Sequence, residues 1–147
     1  MGSNRSKSTT ILIPARNAVS TIERALKSTI AERPESVLLL DHGSKDDTVS
    51  VAREIGGDLV RIIDASSCSS LGEVRQQALQ SVETEYGIWL DADDAFIPGR
   101  VSRLIGLLDE SGSDLAFDQA ILLDQTWKHT LSKLRFPPFI TEKTVCR

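Results

Sequence analysis

An acidic cluster, Asp91–Asp94, directly follows the apolar run Tyr86–Leu90, which is typical of a buried strand. Its three carboxylates repel one another and add nothing to packing, so a bound divalent cation is the simplest compensation for crowding them. Mg²⁺ and Mn²⁺ take one or two carboxylate ligands and fill their other positions with water and substrate phosphates. The cluster therefore suggests a nucleoside diphosphate in a metal-dependent transfer reaction. Alternatively, these aspartates form a polar loop and cap a helix that begins near Pro98.

The composition of the chain narrows the class of protein. Its 147 residues suffice for one domain with a sizeable core, and 40% hydrophobic with 26% charged residues is ordinary for a soluble globular protein. The net charge of −4 and the 5% aromatic content argue against a nucleic-acid partner. No apolar run approaches the ~20 residues of a transmembrane segment, and residues 1–8 form a polar tail without a signal sequence. Cys68 and Cys146 match no metal or disulfide motif, which fits a reducing cytoplasm.

Short apolar runs alternate with amphipathic segments, a pattern typical of βαβ units around a parallel sheet. The first run, Thr10–Ile13, is continuous and rich in β-branched residues, as in a strand covered on both faces, and Pro14 is expected to end it. The sequence thus predicts an α/β fold, an open and mostly parallel sheet with flanking helices. The predicted strands cover residues 10–13, 37–40, 59–63, 86–90 and 114–123.

The first two helices are predicted from capping signals and from apolar residues at helical spacing. A capping box, Ser20–Glu23, is expected to open the first helix, and Arg33-Pro34 is expected to end it. Asp46 or Asp47 can cap the second helix, which runs through Gly56.

Three further helices are predicted after the third strand. One begins at Pro98, a favourable first helical residue. A weak amphipathic pattern predicts the last over Trp127–Arg135, before an apolar break at Phe136–Phe139. The remaining one of the three precedes the acidic cluster in the sequence, and its apolar face consists of Val74, Ala78, Leu79 and Val82.

Three polar loops are expected to meet at one edge of the sheet, because ligands of open parallel sheets bind outside the carboxyl ends of the strands. These loops are Pro14–Asn17, Asp41–Lys45 and Asp91–Asp94. The chain has neither the glycine-rich dinucleotide fingerprint nor a P-loop. A phosphate held without a glycine-rich loop needs a metal instead, which favours the metal–nucleotide interpretation of the acidic cluster.

Four motifs occur in order along the chain: Ile11–Ala18, Leu40–Thr48, Gly72–Gln76, and Glu85-Tyr86 running into Leu90–Asp94. Together, in this order and spacing, they resemble the family-2 glycosyltransferases of the GT-A fold. The resemblance covers residues 9–125 and is far more specific than any single motif.

The resemblance implies a nucleotide-diphospho-sugar donor, expected to be a UDP-sugar, and a divalent metal, Mn²⁺ or Mg²⁺. By matching position, Asp93 is expected to hold the metal that bridges the diphosphate, and Asp91 to lie near the ribose. Arg75 is expected near the donor, where a planar guanidinium suits phosphate or sugar oxygens. Asp41 and His42 are expected to face the base. The remaining expected nucleotide-sugar contacts are Pro14, Ala15, Asn17 and Ala92.

The chain departs from the family pattern in two respects. The family usually has an aspartate where this chain has His42, and a neutral imidazole accepts a hydrogen bond through one nitrogen only. The base selectivity is therefore left open, and the alternative for His42 is a solvated loop side chain. The family's catalytic base is a carboxylate of the acceptor-binding half, and here it is expected beyond Arg147. Asp114, Asp118 and Asp124 lie in no matching motif and are interpreted as solvated charges.

The resemblance implies an inverting glycosyltransferase that uses a saccharide or lipid-linked acceptor in bacterial polysaccharide biosynthesis, such as exopolysaccharide synthesis. The expected location is the cytoplasm, including the inner face of the membrane. Residues 9–125 are expected to form the nucleotide-sugar-binding domain, and residues 126–147 the incomplete start of the acceptor side of a truncated chain. Such a chain alone would bind a donor without transferring the sugar, and its apolar break at Phe136–Phe139 predicts self-association.

Two alternatives to this function come from other classes of protein. One is a nucleotide-sugar-binding module without turnover. The other is a nucleotidyltransferase, against which the missing glycine-rich, basic loop after the first strand argues.

Overall fold

The computed structural model describes residues 8–118, 120–123 and 130–134. Asp124, the apolar break at Phe136–Phe139 and most of the polar N-terminal tail lie outside the described residues. The chain divides into two compact units, Met1–Arg100 and Val101–Arg147. The predicted domain boundaries stay a prediction. The helices and strands are β1 (Thr9–Ala15), α1 (Ile22–Ala31), β2 (Ser36–Asp41), α2 (Thr48–Gly56), a short 3₁₀ turn (Gly57–Leu59), β3 (Val60–Asp64), α3 (Leu71–Gln80), β4 (Tyr86–Trp89), α4 (Arg100–Ser111), β5 (Ala120–Leu123) and β6 (Thr130–Leu134).

The first unit contains a four-stranded sheet in the order β3-β2-β1-β4, with every pairing parallel. Its two central strands are buried on both faces, because helices cover a parallel sheet on either side. Accordingly, the side chains of Ile11–Ile13 and of Val37–Leu40 are almost completely buried. The predicted open parallel sheet with flanking helices is confirmed.

β1 is longer than predicted, because it continues through Pro14 to Ala15. The carbonyl of Leu12 accepts a hydrogen bond from Leu90 N–H on the β4 side, and the carbonyl of Ala15 accepts one from His42 N–H on the β2 side. Peptide groups alternate in direction along a strand, so the backbone nitrogen of Pro14 faces the β4 side. The register with β4 ends at Leu12, which suits a proline at position 14, because proline has no N–H to donate to a neighbouring strand.

The strand order reverses at β1, since β2 and β3 lie on one side of it and β4 on the other. The loop after β1 and the loop after β4 therefore start from neighbouring strand ends, at the point of this reversal. Such a switch point leaves a crevice at the carboxyl ends of the two strands, where open α/β sheets bind their ligands.

The predicted capping box is wrong. α1 begins at Ile22, and the side chain of its N-cap residue, Thr21, makes no capping hydrogen bond. Two consecutive N–H groups, of Thr21 and Ile22, instead donate to the carbonyl of Ala18 and close the turn that starts the helix. Glu23 is consequently the second helical residue, and its carboxylate pairs with Lys27 at 2.6 Å.

Two other helix predictions need correction. On α3, Val74 and Ala78 are buried as predicted, but Leu79 is 57% exposed because it lies on the far side of the helix. Pro98 does not open α4, which begins at Arg100; Gly99, with a φ of +82°, separates the two.

The second unit differs most from the prediction. Thr130–Leu134 forms β6, antiparallel to β5, so the helix predicted over Trp127–Arg135 is wrong in the part that the structure describes. Pairing with β5 overrides the weak amphipathic pattern, as tertiary context commonly does. The strand predicted over residues 114–123 shrinks to its apolar end, Ala120–Leu123, since the aspartates upstream disfavour a strand. None of the described helices has the length and apolar character that a membrane crossing requires.

Two loops of the first unit, residues 16–21 and 42–47, are joined by hydrogen bonds. Asn17 takes a left-handed conformation, with a φ of +51°, which asparagine tolerates better than most residues. Its N–H donates to Ser44 Oγ at 3.0 Å, and its side-chain Oδ1 accepts from Lys45 N–H at 2.8 Å. The Asn17 side chain therefore has a structural role at the end of β1.

Asp46 continues this connection and supplies the predicted cap of α2. Its Oδ1 accepts from Thr48 N–H at 3.1 Å and from the Thr48 hydroxyl, and its Oδ2 accepts from Val19 N–H at 3.1 Å. The buried Thr48 hydroxyl in turn accepts from Ala18 N–H at 2.8 Å. Hydrogen bonds to Thr48 foremost, and to Val19, lower the pKa of Asp46 below its ordinary value of 3.8. Asp47, at the N-cap position, makes no capping hydrogen bond.

We expect Asp46→Asn to lower the melting temperature (Tm), because an amide has one acceptor oxygen whereas Asp46 accepts through both of its oxygens. Asp47→Asn removes the same charge from the same loop and is the control, with a much smaller effect expected. A depressed pKa stabilises the fold above the unfolded value of 3.8 and loses that contribution as the pH falls further. The Tm difference between wild type and Asp46→Asn should therefore narrow below that pH in calorimetric scans. Equal effects of the two substitutions would contradict the role of Asp46.

Candidate functional site

An open cavity of about 410 Å³ lies at the switch point, at the carboxyl ends of β1 and β4. The loop after β1 forms one wall and the loop after β4 forms another. His42, after β2, and two residues of α3, Leu71 and Arg75, complete the cavity. Two guanidinium groups and two carboxylates line it, so it can receive phosphates and a cation together. The lining residues are Pro14, Ala15, Arg16, Asn17, Ala18, Ser20, Thr21, His42, Leu71, Arg75, Asp91, Ala92 and Asp93.

The acidic loop after β4 is held by a turn in which Asp94 N–H donates to the carbonyl of Asp91 at 3.0 Å. This turn keeps the carboxylates close together. Partial burial raises the pKa of Asp94 above its ordinary value of 3.8, and repulsion by Asp93 and Asp91 raises it further. The cluster thus retains the electrostatic repulsion that a bound cation would relieve.

Arg75 of α3 is the cationic partner of this loop. Its Nη2 lies 3.3 Å from Asp91 Oδ1, and its guanidinium lies 5.7 Å from the ring centre of Trp89 at the end of β4. The side chains of Arg75 and Asp91 are 47% and 53% exposed, so the pair contributes only about 0–1 kcal/mol to stability. Arg75 can therefore exchange Asp91 for a substrate oxygen at little cost.

The described part of the chain contains no group of three or more His, Cys, Asp or Glu side chains that could hold a metal ion. Asp91 and Asp93 nevertheless bring hard oxygen ligands to the cavity. Mg²⁺ or Mn²⁺ bound through one or two carboxylates and a diphosphate needs no such protein cage. The residues present therefore fit a cation that arrives with a phosphorylated substrate and do not fit a resident structural metal.

His42 is half-buried at the cavity, and its Nε2 lies 2.9 Å from the carbonyl oxygen of Cys68. A carbonyl can only accept, so Nε2 carries the proton and, in the neutral ring, Nδ1 is the acceptor. The Cys68 thiol is itself directed to Gln77 Oε1, at 3.4 Å. His42 is thus a fixed ring with a defined tautomer and not a freely solvated loop side chain.

All the predicted site residues except Asp41 line the cavity. The carboxylate of Asp41 accepts instead from Ser44 N–H, at 3.2 and 3.3 Å, and so shapes the loop that carries His42. Five of the lining residues were not predicted as site residues. Arg16 and Ala18 lie inside the first motif, and Arg16 could have been noted for its charge. For Ser20, Thr21 and Leu71, nothing in the sequence pointed to the cavity.

Comparisons with known proteins give the chain its family. A family model described as glycosyl transferase family 2 matches residues 10–145. The succinoglycan biosynthesis protein ExoU of Rhizobium meliloti (strain 1021) is 36% identical over 118 residues, which cover 78% of this chain and 33% of ExoU. The 4,4'-diaponeurosporenoate glycosyltransferase of Staphylococcus aureus (strain bovine RF122 / ET3-1) is 34% identical over 94 residues, 62% of this chain and 25% of that protein. The chain thus spans a third or less of these two relatives' length.

Solved structures agree on the fold. TarS 1-349 of S. aureus in complex with UDP-GlcNAc has a TM-score of 0.65 at 23% identity, over 73% of this chain and 32% of TarS. The glucosyl-3-phosphoglycerate synthase of Mycobacterium tuberculosis with Mn²⁺, UDP and glucosyl-3-phosphoglycerate has a TM-score of 0.58 at 22% identity, over 70% of this chain and 40% of the synthase. At such identities the likeness establishes the fold alone, and the predicted GT-A fold is confirmed. With the family model matched from residue 10 to residue 145, this chain belongs to glycosyl transferase family 2.

Proposed function

We propose that this chain binds the donor in a glycosyltransferase that moves a sugar from a UDP-sugar to a saccharide or lipid-linked acceptor. The observation that carries the proposal is the cavity at the switch point, where Arg16 and Arg75 lie with Asp91 and Asp93. The phosphates of a nucleoside diphosphate suit the guanidinium groups, and the cation that accompanies them suits the carboxylates. Bacterial polysaccharide biosynthesis, on the cytoplasmic side of the membrane, is the proposed setting, supported by the name of ExoU.

At the phosphate end, Asp93 would hold Mn²⁺ or Mg²⁺ together with the donor diphosphate, and Asp91 would contact the ribose. When bound, such a cation neutralises the charge of the departing nucleoside diphosphate. Arg75, only weakly paired with Asp91, would turn to phosphate or sugar oxygens. Support comes from the synthase of M. tuberculosis, whose complex contains Mn²⁺ and UDP.

At the base end, His42 would accept a hydrogen bond from the nucleobase through Nδ1. The Cys68 carbonyl holds the proton on Nε2 and thereby leaves Nδ1 as an acceptor. Uracil presents a ring N–H at N3, whereas cytosine presents a bare nitrogen there, so an acceptor at this point favours UDP over CDP. Pro14, Ala15, Asn17 and Ala92 would form the walls around the nucleotide, and Asp41 would shape the loop of His42.

The base that activates the acceptor is proposed to lie in an acceptor-side half. Direct displacement with inversion needs a carboxylate within hydrogen-bond reach of the acceptor oxygen. Asp91 and Asp93 are the only carboxylates among the lining residues, and both are assigned to the donor. We therefore assign this cavity to the donor and propose that the acceptor binds a second surface.

We expect UDP to bind more tightly with Mn²⁺ than with a chelator present, by roughly tenfold or more, as for the gain of one charge-assisted contact. Isothermal titration of the chain with UDP measures both affinities. Asp93→Asn should abolish the difference. Asp94→Asn is the matched control, because it removes the same charge from the same loop at a residue that does not line the cavity. Metal-independent UDP binding in the wild type would contradict the role of Asp93.

We expect the chain to prefer UDP over CDP by roughly tenfold, as for one hydrogen bond matched or mismatched. UDP and CDP share the ribose and the diphosphate, so the contributions of these groups to affinity cancel in the ratio of the two dissociation constants. His42→Asp should keep the preference, because a carboxylate also accepts, and His42→Lys should lose or reverse it, because an ammonium only donates. A ratio that is the same in all three proteins would show that His42 does not contact the base.

A further inference from the structure

Arg24 and Ser28 of α1, and Glu32, the C-cap residue that follows it, lie in one row at intervals of four residues. Residues four apart share a face of a helix, so the row presents its polar groups along a single line. All three groups bind the backbone of residues 93–99, the segment that follows β4 and contains the end of the acidic loop. We refer to these three residues as the α1 row.

The first contact of the row is to the residue proposed to hold the metal. Arg24 Nη2 donates to the backbone carbonyl of Asp93 at 3.1 Å. This bond fixes the peptide from which the Asp93 side chain projects, yet it leaves the carboxylate itself available to a ligand. A direct ion pair from Arg24 to that carboxylate would instead compete with a cation.

The other two contacts lie further along the same segment. Ser28 Oγ donates to the carbonyl of Ala25 at 2.8 Å, and it accepts from the N–H of the buried Phe96 at 3.0 Å. Glu32 Oε1 accepts from Gly99 N–H at 2.7 Å. The three contacts therefore fall at residues 93, 96 and 99, and successive contacts involve residues four apart along α1 and its C-cap.

The segment needs such support because it has little structure of its own. Residues 90–99 contain neither helix nor strand, and the carboxylates of the acidic cluster repel one another. Repulsion alone would spread the loop and move the carboxylates away from the cavity. Anchors on backbone atoms oppose that movement without occupying the Asp93 carboxylate.

We propose that the α1 row is a set of positioning residues, which hold the acidic loop so that Asp93 faces the donor cavity. This inference rests on the proposed function, because it assigns the row to metal-dependent binding of a nucleoside diphosphate. The row touches neither substrate nor cation; it acts on them through the backbone of Asp93.

The test compares Arg24→Met with Lys27→Met, its matched control. Lys27 lies on the same helix, is exposed and pairs only with Glu23 in the described contacts, so its loss removes one positive charge without touching the acidic loop. Each full-length variant is titrated with UDP twice, once in the presence of Mn²⁺ and once in the presence of a chelator. The ratio of the two dissociation constants, called the Mn²⁺ factor, says how much Mn²⁺ tightens binding. We expect Arg24→Met to reduce that factor roughly tenfold, Arg24→Lys to restore part of it, and Lys27→Met to leave it unchanged.

A second variant keeps the test valid if Arg24→Met does not fold. Ser28→Ala removes the acceptor of Phe96 N–H but suits a helix. We expect it to speed hydrogen exchange at the Phe96 amide and to reduce the Mn²⁺ factor, whereas metal-free UDP affinity stays near that of the wild type.

The outcomes separate the two proposals. A wild-type chain that binds UDP equally with and without Mn²⁺ refutes metal-dependent donor binding and, with it, the role of the row. If Mn²⁺ strongly tightens UDP binding to the wild-type chain, and both Arg24→Met and Ser28→Ala retain this effect, the positioning role of the α1 row is refuted. The proposed function then stays intact.

Discussion

The architecture of this protein depends on the parallel pairing of β1 with a neighbour on each side. That pairing places four nonpolar strands in the order 3-2-1-4 and makes β1 the point where the order reverses. The loops that leave β1 and β4 start side by side at this reversal, and residues of both line the cavity. Pro14 suits this arrangement, because it stands on the β4 side of β1 after the register with β4 has ended. The chemistry that the loops offer is therefore a consequence of strand order.

Charge is the second constraint. The acidic loop brings several carboxylates together. Partial burial raises the pKa of Asp94, and repulsion by Asp93 and Asp91 raises it further. The protein offsets this repulsion with cationic groups at the edges of the cluster, Arg75 at Asp91 and Arg24 at the Asp93 backbone. Neither contact occupies the Asp93 carboxylate, so the site keeps an unneutralised negative group beside the guanidinium groups that would receive phosphates.

The sequence was sufficient for the features that depend on periodicity and on strand ends. It predicted the parallel sheet and the convergence of the loops, because buried strands read as continuous apolar runs and polar residues follow them. The sequence failed where local signals compete. Ser20–Glu23 has the residue types of a capping box, but hydrogen bonds to the Ala18 carbonyl make α1 begin at Ile22. Leu71 and Thr21 reach the cavity through tertiary placement, which no local pattern encodes. Likewise, the strand at Thr130–Leu134 exists through its partner, β5.

The hydrogen bonds between the loop after β1 and the loop after β2 have a consequence for protein engineering. Asn17, Ala18 and Val19 are bonded to Ser44, Lys45, Asp46 and Thr48, so neither loop has a conformation of its own. A graft that imports only the loop carrying His42, in order to alter base selectivity, would break these bonds and distort the cavity wall at Asn17. The two loops form one transplantable module, and among homologues their residues should vary together.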